Sequence, residues 1–292
     1  MPELPEVETI KLGLEKLLIG KIIIKVIVSD NSLKSFPNNQ FDVNKFMLNA
    51  RIVALRRRAK ILIIELSTAY SLVIHLKMTG QLVFVDGKYR FGAGHPNDSL
   101  VNRLPDNSTR ISIKFKDERV LYFNDQRKFG WIKLLPTTIL NDKDFFRHHG
   151  PEPLQKNFTS YVFKNRLLKH KNTMLKAALL NQSIIAGIGN IYADESLWLA
   201  KLHPKSVISN LNDKDFVRLH RAILEVLNLS LRAGGSTDKN YVDAYGNKGN
   251  YLKFANVFRR EGQLCPQCGE PIIKIRVASR GTHICLNCQI LK

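Results

Sequence analysis

Four cysteines near the end of the chain limit what it can fold into more than any other feature. Cys265-Pro266-Gln267-Cys268 and Cys285-Leu286-Asn287-Cys288 form C-x2-C-x16-C-x2-C, the spacing at which two tight knuckles present four thiolates to one tetrahedral Zn2+. With every coordination position filled by protein, the metal is expected to be structural, holding a β-hairpin of about twenty residues that is too small to fold alone. In a reducing compartment, four cysteines paired in this way bind metal more often than they form disulfides. The hairpin carries Lys274, Arg276 and Arg280 against the lone Glu270. A rigid basic hairpin suits phosphates, although zinc ribbons that bind only protein share the spacing.

The whole chain, 292 residues, is long enough for two lobes. Its 45 Lys and Arg against 25 Asp and Glu give a formal charge of +20, the electrostatic footprint of a nucleic-acid partner. Anionic membranes and acidic proteins remain as alternative partners on charge alone. The cations are spread through the chain, so this is no basic tail on a neutral body. The first residues lack a basic n-region, and no apolar run reaches the length of a membrane span. These features predict an intracellular, cytoplasmic protein with no membrane partner.

Hydrophobic periodicity divides the chain in two. Val7, Ile10, Leu14, Leu17 and Leu18 recur at helical spacing from Pro5 to Leu18, and Gly20 ends that helix. Short β-rich runs follow from Lys21 to about Lys133: 22–28, 52–55, 61–66, 72–76, 82–85, 111–115 and 120–123. They predict an antiparallel sandwich or barrel, with a hairpin at Asp117-Glu118 and a long loop between Phe91 and Asn107. Beyond the break at Gly150-Pro151-Glu152-Pro153, helical patterns occupy about 158–169, 172–182, 190–201 and 212–232. The expected organisation is a β lobe over 2–135, a linker over 136–156, a helical lobe over 157–250 and the cysteine module over 251–292. The fold class is α+β.

Pro2 follows the initiator Met, and a small penultimate residue favours removal of that Met. The chain would then begin with a secondary amine of pKa near ~8, nucleophilic at neutral pH and able to attack an anomeric carbon. Glu3 stands next to it as a proton donor for sugar-ring opening. The same Glu3 and Glu6 are equally explained as first-turn carboxylates that complement a helix dipole.

Several separate motifs then coincide. Met1-Pro2-Glu3-Leu4-Pro5-Glu6-Val7-Glu8-Thr9, Arg57-Arg58-Ala59-Lys60, His75-Leu76-Lys77-Met78-Thr79-Gly80 and Asn124-Asp125-Gln126-Arg127-Lys128-Phe129-Gly130 resemble motifs of the formamidopyrimidine-DNA glycosylase (8-oxoguanine DNA glycosylase/AP lyase) family. So do Gly150-Pro151-Glu152-Pro153-Leu154, the run Ala186 to Ser196, and Gly234-Gly235-Ser236-Thr237. With the cysteine module the resemblance spans the whole chain in the family's order. It implies an N-terminal β-sandwich lobe opening with a helix, a helix-two-turn-helix lobe and a C-terminal zinc finger with one structural Zn2+. It further implies that the protein works as a monomer on double-stranded DNA containing oxidised purines or abasic sites.

The resemblance also assigns roles. It makes Pro2 the Schiff-base nucleophile, Glu3 the proton donor, Lys60 the proton donor in β-elimination and Arg280 the residue tied to δ-elimination. Met78, Arg127 and Phe129 are similar to a wedge that fills the gap left by an extruded base, extrusion being required because the reacting bond is not reachable in the stack. His75, Lys171, Lys176 and Asn190 resemble DNA contacts, and Arg110, standing where the family usually has a histidine, is expected there too. At Asn190 the expectation has a physical basis, since Gly187 and Gly189 let backbone approach a phosphate at a helix start. Ser236, Thr237 and Tyr241 fall in the family's lesion-capping loop. Two rival functions stay open: an endonuclease VIII-type enzyme for oxidised pyrimidines, and a catalytically silent zinc protein that only binds DNA. Leu4 and the Arg127-to-Phe129 wedge resemble the purine branch.

Overall fold

Pro5 lies in the first turn of helix α1 (Leu4–Leu18), where a missing N–H costs nothing. The helix buries Val7, Ile10, Leu14 and Leu18, one apolar stripe at helical spacing. Gly20, at φ +85°, turns the chain out of it. The computed structural model describes residues 1–29, 35–87, 89–94, 103–236 and 249–292.

After α1 come β1 (Ile23–Val28), α2 (Gln40–Phe46), β2 (Ile52–Arg58), β3 (Ile61–Leu66), β4 (Tyr70–His75), β5 (Gly80–Asp86), β6 (Tyr89–Gly94), β7 (Thr109–Phe115), β8 (Val120–Asp125) and β9 (Trp131–Pro136). They form a five-stranded sheet, β1-β7-β8-β5-β6, and a four-stranded sheet, β2-β3-β4-β9, antiparallel throughout. Leu55, Leu62, Ile64, Leu72 and Ile74 of the smaller sheet meet Leu82, Phe84, Ile111, Ile113, Leu121 and Phe123 of the larger in one core. The apolar face of α1 closes that core beside β2 and β3. The expected β-sandwich is thus present.

The second half contains α3 (Ser160–Leu168), α4 (Leu175–Leu180), α5 (Asn190–Leu199), α6 (Asp213–Arg232) and the hairpin β10 (Ile273–Val277) and β11 (Arg280–Ile284). Thr159 caps α3 by accepting from Val162 N. Helix α5 is the hub, packing against α4, α6 and β11, and its residues 191 to 198 are all buried. No helix among the described residues is long and apolar enough to cross a membrane.

Backbone contacts divide the chain into two units, Met1–Arg147 with Ala233–Asn250 and His148–Arg232 with Tyr251–Lys292. This differs from the boundaries the sequence suggests. Leu140 and Phe146 pack on Ile61, Ile63 and Val73, which draws the first part of the expected linker into the sandwich unit. Gly150 N donates to Gln182 O at 2.7 Å, which fixes the later part to the helical unit. The segment after α6 returns to the sandwich unit because Ser236 is hydrogen-bonded to Glu6.

Candidate active site

Pro2 and Glu3 are both buried at the start of α1. Glu3 is the helix N-cap, and the Glu6 carboxylate accepts from Glu3 N at 2.8 Å through Oε2, a capping box that fixes the backbone beside Pro2. The other oxygen of Glu6 accepts from Ser236 N at 2.7 Å and Ser236 Oγ at 3.0 Å. Glu6 therefore does more than complement the helix dipole: it joins the N-terminal turn to the first residue of the expected capping loop. Gly235, at φ +84°, lies so close that an added Cβ would sit 3.1 Å from Glu6 Oε1. Gly249 closes the loop's base, where a Cβ would meet Gly235 O at 2.4 Å, and Asn250 N donates to Ala233 O at 2.9 Å. Thr237 and Tyr241 lie outside the described residues.

Ala59 and Lys60 make the two-residue turn between β2 and β3, with Ala59 at φ +56°. A turn lysine is ordinarily a solvated charge, yet Lys60 is only 6% exposed. Arg57 holds this turn in place, donating to Ala59 O at 3.0 Å and to the α1 carboxylate Glu8 at 2.7 Å. The lysine's turn is thereby tied to α1, the helix that follows Pro2 and Glu3.

His75 ends β4, half-buried, with Nδ1 accepting from Lys77 N at 3.0 Å. That bond fixes the neutral ring as the Nε2–H tautomer, a donor of the kind a phosphate oxygen accepts. Met78, Arg127 and Phe129 are exposed, and the Arg127 guanidinium lies 4.8 Å above the Phe129 ring. Arg110 is turned inward, 5% exposed, with Nε on Asp125 O and Nη2 on Asn107 O, each at 2.9 Å. These donors serve buried carbonyls, which water or phosphate cannot replace without cost.

In the helical unit Lys171 is exposed. Lys176, expected at DNA, is instead 0% exposed, with Nζ 2.5 Å from Asp194 Oδ1 and 2.6 Å from Thr282 Oγ1. In this structure it acts as an internal brace between α4, α5 and the hairpin. Asp194 Oδ2 accepts from His283 N at 3.0 Å, and Thr282 Oγ1 donates to Arg280 O at 3.1 Å. Asn190, the first residue of α5, donates from Nδ2 to Gly281 O at 3.0 Å, while its Oδ1 has no hydrogen-bond partner. Lys176, Asp194 and Asn190 thus grip the hairpin directly behind Arg280, whose side chain is exposed. The buried Glu195 carboxylate accepts from Asn256, Val257 and Phe258 backbone N–H groups at 2.8–2.9 Å. Burial pushes its pKa upward, and those hydrogen bonds oppose the shift.

The turn between β10 and β11 consists of Ala278 and Ser279, both with positive φ, at 50° and 60°. It is a type I′ hairpin built without its usual Asn-Gly. Below it, the ligand atoms of Cys265, Cys268, Cys285 and Cys288 all lie within 4.8 Å of one another. The Cys265–Cys288 and Cys268–Cys285 sulfurs are 3.8 and 3.4 Å apart, close to the roughly 3.8 Å edge of a tetrahedron with Zn–S of about 2.3 Å. The four residues therefore fit one Zn2+. Burial and the neighbouring sulfurs push the Cys288 thiol up, the response of crowded thiols that a cation relieves.

Glu6, Asp125, Asp194 and Glu195 carry this geometry, and sequence reasoning assigned none of them a site role. The Glu3-to-Glu6 spacing is a capping-box signal. Asp194 and Glu195 are acids within an otherwise apolar run, a signal only of internal pairing, whereas Asp125 lies among polar residues and left no signal.

A sandwich whose N-terminal turn is held by paired carboxylates, with a helical unit gripping a four-thiolate hairpin, defines the class of zinc-finger, helix-two-turn-helix proteins. Sequence models agree: the formamidopyrimidine-DNA glycosylase N-terminal domain matches residues 1–132, its H2TH domain residues 149–241, and the zinc finger found in FPG and IleRS residues 262–290. The chain belongs to the formamidopyrimidine-DNA glycosylase family. It is 39% identical to the formamidopyrimidine-DNA glycosylase of Pediococcus pentosaceus over 292 residues, 100% of each chain. With that of Herpetosiphon aurantiacus it shares 39% identity, covering 99% of this chain and 100% of the relative. A Lactococcus lactis FPG mutant bound to Fapy-dG-containing DNA superposes with a TM-score of 0.86 at 33% identity, 99% of each chain being covered. The Lactococcus lactis Fpg complex with abasic-site DNA gives 0.85 at 33% identity, covering 98% and 99%. The family is one of DNA glycosylases with AP lyase activity that excise oxidised purines.

Proposed function

We propose that this chain excises oxidised purines, 8-oxoguanine and formamidopyrimidines, from duplex DNA and then cuts the strand at the resulting abasic site. The observation that carries the reading is the fixed turn at the N-terminus: Pro2 and Glu3 are buried, and Glu6 holds the Glu3 backbone from one oxygen and Ser236 from the other. A nucleophile used in this way must be preorganised, because orientation lost at the reacting atom costs rate directly.

With Met1 removed, the Pro2 nitrogen attacks C1′ of the extruded nucleotide. The glycosidic bond breaks, the base leaves with its electron pair and a proton, and Glu3 protonates the ring oxygen as the sugar opens to an iminium on Pro2. Loss of the C2′ proton then expels the 3′ phosphate, with Lys60 serving this β-elimination. A second elimination, for which Arg280 is placed on the exposed hairpin turn, expels the 5′ phosphate. Met78, Arg127 and Phe129 occupy the vacated stack, while His75, Lys171 and Asn190 contact phosphates. Ser236, Thr237 and Tyr241 belong to the segment that covers the extruded base. Zn2+, when bound by the four thiolates, supplies folding energy to the hairpin. Its substrate places the protein in a bacterial cytoplasm, at the nucleoid.

Borohydride added during turnover on a duplex carrying 8-oxoguanine opposite cytosine should give a covalent adduct that maps to the Pro2 peptide. Absence of that adduct from protein that still binds the duplex rejects the reading. Faster turnover of thymine glycol than of 8-oxoguanine moves the chain to the pyrimidine branch.

A further inference from the structure

We infer that Asp125 is a positioning residue: its buried carboxylate joins two neighbouring turns into one mount, so that Met78, Arg127 and Phe129 enter the duplex as a single rigid piece. The inference rests on the base-extrusion role proposed above for those three side chains.

The topology puts the turns together. The chain passes from the four-stranded to the five-stranded sheet between β4 and β5, through residues 76–79, and returns between β8 and β9, through residues 126–130. Because Gly80 pairs with Asp125 and His75 with Trp131, the two crossings lie side by side. Met78 stands on the first, 44% exposed, and Arg127 and Phe129 on the second, Phe129 being 53% exposed. Large exposed side chains on unsupported turns would sample many orientations, and that freedom would be lost on every insertion.

Asp125 removes it. The residue is 0% exposed. Its Oδ1 accepts from Thr79 Oγ1 on the first turn and from Arg127 N, at 3.2 Å, on the second, while Oδ2 accepts from Gly130 N at 2.6 Å. Arg127 N also reaches Thr79 Oγ1 at 3.2 Å. Glycines allow the close approach: a Cβ at Gly130 would fall 2.9 Å from the Phe123 ring and 3.1 Å from Asp125 Oδ2, and one at Gly80 would collide with Leu76 O at 2.3 Å. From behind, Arg110 holds the Asp125 carbonyl at 2.9 Å. This explains why an arginine expected at DNA is buried. Both oxygens of the carboxylate receive donors, and these come from different parts of the mount.

Asp125→Asn keeps the shape but leaves one accepting oxygen, so either Gly130 N–H or the Thr79 and Arg127 donors lose their acceptor. Single-turnover excision of 8-oxoguanine opposite cytosine in a duplex should fall on the order of tenfold to a hundredfold, as expected when one or two buried donors go unsatisfied. Borohydride trapping on a single-stranded oligonucleotide with an abasic site, where no base leaves a stack, should stay near the parent rate. Equal loss on both substrates, or undiminished duplex excision, overturns the proposal. Should the variant melt below the assay temperature, Thr79→Val, which removes fewer bonds, must show the same split in smaller measure. Met78→Ala and Phe129→Ala separate the two levels: full duplex excision by both would reject the extrusion role itself, whatever Asp125→Asn does.

Discussion

Replacing Lys176 with Met removes one half of a fully buried ion pair and leaves the Asp194 carboxylate with its His283 N–H partner. A charge stranded in this way costs about 3–5 kcal/mol, whereas removing both charges together is often nearly neutral. Lys176→Met should therefore destabilise the helical unit by roughly that amount, and Lys176→Met with Asp194→Leu should recover most of it. The difference is a coupling on the order of 3 kcal/mol, measurable by urea unfolding of the single and double variants. Lys176 also donates to Thr282 Oγ1, which donates to Arg280 O. Both variants lack that donor and should consequently yield a smaller share of δ- relative to β-elimination product. A single-variant cost below about 1 kcal/mol, the range of exposed pairs, would refute the reasoning.

Chelating zinc should open the small core in which Trp198 packs on Val257, Cys265, Ile272 and Cys285. In a Trp131→Phe background the fluorescence of Trp198 should shift to the red and duplex Kd should rise, and an unchanged spectrum would contradict that packing. Because Ala278 and Ser279 both adopt positive φ, Ala278→Asn with Ser279→Gly should stabilise the hairpin by about 1 kcal/mol and slow zinc release to a chelator. Faster release would show that the turn is not type I′. Burial, followed by the charge of Lys205, lowers the pKa of His203 below its ordinary 6.5. The unfolded chain then takes up the proton first, so stability is lost as pH falls below about 6.5. His203→Gln should flatten that part of the stability profile, and an identical slope in parent and variant would disprove it.

Much of the scaffold is written in patterns of one period. The apolar stripe of α1 and the four helices of the second half end within a few residues of the positions their periodicity suggests, because burial on one face is what periodicity records. Strand β6 was hidden by Phe91-Gly92-Ala93-Gly94, which reads as a loop, and its glycines are strand residues where an added Cβ at Gly94 would strike Gly80 O at 2.5 Å. Short α2 carries a single buried residue, Val43, so it left no stripe to detect. At the site, the four cysteines were legible as metal ligands from their spacing alone. The burial of Lys176 and Arg110 was not legible, since a cation's destination depends on acceptors far away in the chain, here Asp194 and the carbonyls of Asn107 and Asp125.

The pinched neck at Gly235 and Gly249 has an evolutionary meaning. Entry and exit of that excursion meet at one point, clamped by main-chain atoms and one carboxylate. Whatever occupies positions 237–248 can lengthen, shorten or change character without moving the neck. Sequence can change in that stretch while the capped turn at Glu3 stays where it is.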